Sequence, residues 1–147
     1  MRPQPTFFPM NFTSVRLITA DFERLVSFYE QLFDQPLTRL APVFAELRTL
    51  GATLAIGHTS TLAPFGGEPG APAATNGSVI LEFRVADVDA TYQRLAGWLS
   101  GALVQGPTTM PWGNRSLLFR DPDGNLVNLF TPVTADAVEK FAQQPAA

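Results

Sequence analysis

The chain repeats itself. Ala20-Asp21-Phe22-Glu23 is matched 66 residues later by Ala86-Asp87-Val88-Asp89, and Gly51-Ala52-Thr53-Leu54-Ala55-Ile56 is matched 73 residues later by Gly124-Asn125-Leu126-Val127-Asn128-Leu129. Self-similarity at such a period marks one supersecondary unit used twice. A unit of this size cannot bury both a helix stripe and a sheet face alone, so the two copies must bury surface together. Each copy reads strand–helix–strand–strand–strand.

In the first copy, Phe12 to Thr19 alternates as a strand, with Val15, Leu17 and Thr19 on one face and Ser14, Arg16 and Ile18 on the other. Asp21 is a good N-cap, and Phe22, Leu25, Val26, Tyr29, Leu32 and Phe33 form one apolar helical stripe ending near Asp34. Short strands follow at about 37–41, 43–49 and 52–57. In the second copy, Ser78 to Ala86 is a strand with Leu81, Phe83 and Val85 opposite Ile80, Glu82 and Arg84. Asp87 caps a helix whose stripe is Val88, Thr91, Tyr92, Leu95, Trp98 and Leu99, and strands follow at about 102–107, 114–120 and 125–131.

The last hairpin has its own turn chemistry. In Asp121-Pro122-Asp123-Gly124, Pro122 presets φ and Gly124 can take φ > 0, while Asp side chains accept backbone N–H bonds in such turns. We read Asp121 and Asp123 as turn builders rather than paired catalytic carboxylates. Between the copies, residues 58–77 are rich in Pro, Gly, Ala and Thr without a period and read as a linker or covering loop. Residues 1–11 are a proline-rich arm whose Phe7 and Phe8 suggest packing, and 132–147 are a tail with a weak helix from Ala135 to Gln143.

Composition narrows the function. A net charge of −3 with no basic block argues against nucleic acid. The absence of Cys excludes disulfides, a thiol nucleophile and Cys-ligated zinc, and fits a reducing compartment. No stretch reaches the roughly 18 apolar residues of a membrane span, so a cytoplasmic protein without membrane contact is expected. Phe65-Gly66-Gly67-Glu68-Pro69-Gly70 lacks a Lys and a following helix, so it is not a phosphate loop. The single His58 has no histidine partner and reads as a strand-end residue.

Three stretches carry a resemblance: Ser27-Phe28-Tyr29, Trp112-Gly113-Asn114-Arg115, and Arg120-Asp121-Pro122-Asp123-Gly124-Asn125-Leu126. With the repeat, they make residues 12–131 similar to the glyoxalase/bleomycin resistance protein/dioxygenase group, the vicinal oxygen chelate superfamily. The resemblance implies an α+β fold of two tandem βαβββ modules, 12–57 and 78–131, forming a curved mixed sheet around a concave cavity with helices outside. Members include metal-dependent isomerases, ring-cleaving dioxygenases, thiol transferases and metal-free antibiotic-sequestering proteins, so the fold alone does not give the reaction.

The resemblance also locates the metal slots of active relatives, in the two first strands and the two last strands. Here they hold Ser14 and Ile80, seven residues before each capping Asp, and Ala55 and Asn128. Two are apolar and none is a carboxylate or imidazole, so no metal or other cofactor is expected. Strand alternation then turns Arg16, Glu82 and Arg84 toward the same cavity, with Arg16 and Glu82 at equivalent positions and expected to pair. Glu46, Arg48 and Arg115 are expected beside them. Phe44, Phe65, Phe130 and Trp112 are candidate ligand walls, Trp112 as a flat ring over a pocket opening.

The reading is therefore a metal-free small-molecule-binding protein, such as a sequesterer of an antibiotic or another aromatic or polar ligand, forming a homodimer. Ligand contacts are expected from Ser14, Arg16, Ile80, Glu82, Arg84, Trp112, Arg115 and Asn128. The alternative is a glyoxalase- or dioxygenase-type enzyme using a divalent metal, or Glu82 or Glu46 as a general base. A third reading is a non-catalytic interaction module.

Overall fold

The structure, a computed structural model, describes residues 6–66 and 72–142. The first module runs β1 (Ser14–Thr19), α1 (Phe22–Phe33), β2 (Thr38–Ala41), β3 (Phe44–Arg48) and β4 (Thr53–His58). The second runs β5 (Ile80–Arg84), α2 (Val88–Leu99), β6 (Leu103–Thr109), β7 (Asn114–Arg120) and β8 (Leu126–Pro132), followed by α3 (Ala135–Ala142). The expected elements are all present among the described residues, their ends within about two residues of the sequence patterns. The covering loop adds one element: residues Thr59–Phe65 form a 3₁₀ helix. The remaining parts of the arm, loop and tail readings, at 1–5, 67–71 and 143–147, lie outside the described residues. Phe7 and Phe8 are exposed, so the described part of the arm does not bury them.

Both helices begin where their Asp caps predict. Asp21 accepts from the backbone N–H of Arg24 at 3.2 Å, and Asp87 from that of Ala90 at 3.1 Å. Each satisfies one amide that the first helical turn leaves without an intrahelical partner. Phe22, Leu25, Val26, Tyr29 and Leu32 of the α1 stripe are buried, as are Val88, Leu95 and Leu99 of α2.

The strands form two four-stranded mixed sheets, ordered β1-β4-β3-β2 and β5-β8-β7-β6. In each, the module's first and last strands pair in parallel, and the remaining neighbours are antiparallel. Among the described residues no strand pair joins the two ladders, so the modules do not merge into one continuous sheet.

The modules join instead through their helix-bearing faces. One core takes in Leu17, Leu47, Leu54 and Ile56 from the first sheet, Leu81, Leu117, Phe119, Val127 and Leu129 from the second, and the stripes of α1 and α2. Phe28 of α1 lies 4.7 Å from Trp98 of α2 and 6.2 Å from Phe119 of β7, centroid to centroid. Phe33 of α1 lies 4.9 Å from Phe83 of β5. Each helix covers one face of a sheet, and the opposite face, here termed the open face, carries the second set of alternating side chains.

Candidate functional site

Register fixes which open-face residues are neighbours. In the first sheet Arg16 pairs with Ala55 and Ala55 with Glu46, while Ile18, Gly57 and Phe44 form the next row. In the second sheet Glu82 pairs with Asn128 and Asn128 with Leu118, followed by Arg84, Phe130 and Ser116. The equivalences read from the repeat are therefore realised in three dimensions: Arg16 beside Ala55 corresponds to Glu82 beside Asn128.

The two rows are chemically different. Ala55 and Gly57 are short, so the Arg16 guanidinium reaches across β4 to stack on aromatic rings. Its central carbon lies 4.8 Å from the Phe44 centroid and 5.4 Å from that of Phe65, in the 3₁₀ helix. It has no carboxylate within ion-pair distance among the described residues. In the second sheet the Asn128 Nδ2 donates to Glu82 Oε2 at 2.8 Å. Asn128 is only 7% exposed, and its Oδ1 is buried without a partner among the described residues.

The expected Arg16–Glu82 ion pair does not form within the chain. The reason is the junction of the modules: joining through helix faces leaves Arg16 and Glu82 on the open faces of separate sheets. Arg115 is also displaced from its expected place. It sits one residue out of phase with Asn114 and Ser116, and its Nε donates to Asp89 of α2 at 2.9 Å. Trp112 stands in the β6–β7 turn, two-thirds exposed, and lines neither of the two main clefts described below. Glu46 is engaged by Arg48 at 3.5 Å. Ser14 and Ile80 open their strands on the exposed side, Ile80 being 49% exposed.

The four slots offer a metal one hydroxyl oxygen, one amide oxygen and two apolar side chains. A hard divalent cation prefers six or more oxygen donors, several of them charged, and a zinc-type ion prefers imidazole or thiolate. These residues do not fit a catalytic metal.

Each open face is partly roofed by the helical segment that follows its last strand. On the first sheet, the His58 ring accepts from the backbone N–H of Ser60 at 3.1 Å and so caps the 3₁₀ helix that carries Phe65. Residues Pro72 to Asn76, with Leu62, close a cleft of about 310 Å³ along the edge of β1 against Asp123 and Asn125. On the second sheet, α3 places Phe141 on Phe130, with centroids 5.2 Å apart.

One buried network was not visible as such in the sequence. Asp121 is 4% exposed and accepts four hydrogen bonds. The donors are the backbone N–H groups of Asp123 and Asn125, the Asn125 amide at 2.8 Å, and the Tyr29 hydroxyl at 2.7 Å. Arg24 adds a 2.9 Å bond to Asp123. The last turn of the second module is thus bonded to the first helix of the first. Burial, reinforced by the Asp121 charge, holds the Tyr29 phenol well above its ordinary pKa, so it stays a donor. Tyr29 reads as core and Asp121 as turn from sequence, and both are; only their adjacency in space reveals the bond.

Paired βαβββ modules with helices on one face of each mixed sheet define the class of protein. The family model of the Glyoxalase/Bleomycin resistance protein/Dioxygenase superfamily matches residues 11–129, and the chain belongs to that superfamily. Among solved structures, a glyoxalase/bleomycin resistance protein/dioxygenase from Nocardioides aligns at TM-score 0.70 and 24% identity, covering 88% of each chain. A family enzyme from Burkholderia phytofirmans PsJN aligns at TM-score 0.70 and 15% identity, over 84% of this chain and 100% of its own. A protein of unknown function from Agrobacterium tumefaciens str. C58 aligns at TM-score 0.69 and 26% identity, over 85% and 96%. No curated protein matches the sequence.

Proposed function

We propose that the chain is a metal-free member of its superfamily that binds a small polar or aromatic molecule on its open faces. The observation that carries this reading is the content of the equivalent rows. Where metal-dependent relatives place ligands, this chain has Ser14, Ala55, Ile80 and Asn128, and beside them a guanidinium with no carboxylate partner among the described residues and a carboxylate–amide pair. Such groups orient a ligand by hydrogen bonds and charge, while Phe44 and Phe65 supply stacking surface. The orphaned Asn128 Oδ1 is a buried acceptor that a ligand donor would satisfy.

A second copy of the chain fits the same reading. The open face of the second sheet leaves Ile80 nearly half exposed. A homodimer that set one copy's first sheet against the other's second would bring Arg16 opposite Glu82, the pairing that a single chain does not make.

Two measurements test the proposal. Metal analysis of protein purified without chelator should find substoichiometric Ni, Zn, Fe and Mn; one equivalent of any of them overturns it in favour of the enzyme reading. A thermal-shift screen against aromatic antibiotics should yield a stabilising ligand whose effect is lost in Arg16→Ala or Glu82→Ala. A stabilising ligand indifferent to both substitutions moves the site elsewhere, and no stabilisation by any ligand favours an interaction module.

A further inference from the structure

A second cleft lies one row beyond the Glu82–Asn128 pair, between the ends of β5 and β8 and the C-terminal helix. It is an open cleft of about 490 Å³ whose lining includes Arg84, Thr131, Pro132, Val138 and Phe141. That volume falls in the range of small-molecule sites. The lining has two polar side chains, and one is fully used. The Thr131 hydroxyl donates to the Val85 carbonyl at 2.9 Å and accepts from the Val88 N–H at 2.9 Å. It pins the strand end to the start of α2 and offers little to a ligand.

Arg84 is different. Its guanidinium carbon lies 5.4 Å from the Phe141 centroid, and one N–H reaches the Phe141 carbonyl at 3.4 Å. No carboxylate lies within ion-pair distance of it among the described residues. A guanidinium has five N–H donors, so most of this fork remains available, held in one orientation by the ring behind it. The rest of the lining is aliphatic or aromatic carbon. The Lys140 ammonium, 5.3 Å from the Phe141 ring centre, adds positive potential nearby.

A single oriented guanidinium at an otherwise apolar cleft recognises one kind of ligand. The two oxygens of a carboxylate match the guanidinium fork, and an apolar body buries itself against Val138, Pro132 and Phe141. A dianion would leave one charge without a partner in the lining, and a neutral apolar molecule would leave the guanidinium unused. We propose that this cleft is a binding site for a small monocarboxylate with an apolar body. The site rests on and extends the open-face reading: Arg84 belongs to the second open face, one row beyond Glu82, while none of Ser14, Arg16, Glu82 or Asn128 lines the cleft, so its ligand is separable from theirs.

Isothermal titration of the full chain with sodium octanoate, and with octanamide as the neutral isostere, tests this. Octanoate should bind saturably and octanamide about tenfold or more weaker, the difference expected of a charge-assisted bidentate contact. Arg84→Met should weaken octanoate to the octanamide level while leaving octanamide and the melting temperature unchanged. Val138→Glu, at a half-exposed position, should abolish octanoate binding by placing a carboxylate in the cleft. Arg16→Ala and Glu82→Ala should leave octanoate binding intact, which separates this site from the open-face one. No saturable binding, equal binding of octanoate and octanamide, or wild-type affinity in Arg84→Met overturns the proposal.

Discussion

Replacing Tyr29 by Phe removes one oxygen atom and tests how the two modules are held together. The Tyr29 hydroxyl is the α1 donor to Asp121, at 2.7 Å and fully buried. A hydrogen bond to a charged acceptor contributes about 1.5–3 kcal/mol. Asp121 keeps its three donors within the turn, so the carboxylate is not stranded, while the aromatic ring and its packing remain. The expected loss is therefore near the middle of that range, about 2 kcal/mol, or a fall of about 4–8 °C in melting temperature for a chain of this size. Urea unfolding should show a lower midpoint with an unchanged slope, because the surface exposed on unfolding stays the same.

The same substitution has a pH signature. The folded pKa of Tyr29 is raised above the value of 10.0 that an exposed tyrosine has. The unfolded chain therefore ionises first as pH rises through that value. Unfolded protein then binds fewer protons than folded, and stability falls with rising pH. The contribution is complete below pH 10 and disappears as pH approaches the folded pKa. Tyr29→Phe lacks this descent, so the gap between variant and wild type should narrow above pH 10. A variant within about 0.5 kcal/mol of wild type at pH 7, or one with the same alkaline slope, would refute the argument that this bond joins the modules.

Gly113→Ala should cost about 2 kcal/mol, because Gly113 has φ +96° and an added Cβ would fall 2.0 Å from Thr134 Oγ1 and 3.0 Å from the Ala137 Cβ. Unfolding would show the loss, and Trp112 emission would report α3 moving off its seat; a wild-type midpoint contradicts this. Ser116→Ala should be neutral or stabilising by up to about 1 kcal/mol, since Ser116 is 1% exposed and its hydroxyl has no partner among the described residues. A clear destabilisation in denaturant titration would show that the hydroxyl is bonded after all. Phe28→Ala should cost about 3 kcal/mol and shift Trp98 emission, because that ring touches both α2 and β7 at the module junction. A cost typical of a surface site would place the junction elsewhere.

Local chemistry made much of the fold legible in the sequence. The two Asp caps and apolar stripes mark α1 and α2, and the Asp-Pro-Asp-Gly turn marks the β7–β8 hairpin, where Gly124 takes φ +87°. The repeat equated Arg16 with Glu82 and Ala55 with Asn128, and the parallel β1–β4 and β5–β8 pairs keep that equivalence by setting Arg16 beside Ala55 and Glu82 beside Asn128. All of this follows from short-range rules: backbone amides needing caps, periods of 3.6 and 2, and a glycine where φ is positive.

The sequence by itself determined the modules, their strand faces and the lack of a carboxylate or imidazole at Ser14, Ala55, Ile80 and Asn128. Only the tertiary structure decided how those modules meet. Joining through helix faces places Arg16 and Glu82 on separate open faces, turns Arg115 toward Asp89, bonds Tyr29 to Asp121, and lays α3 beside Arg84. Periodicity assigns a side chain to a face of its own strand. Which distant face lies opposite depends on where the whole apolar surface of each module finds burial, and that is a property of both halves packed together.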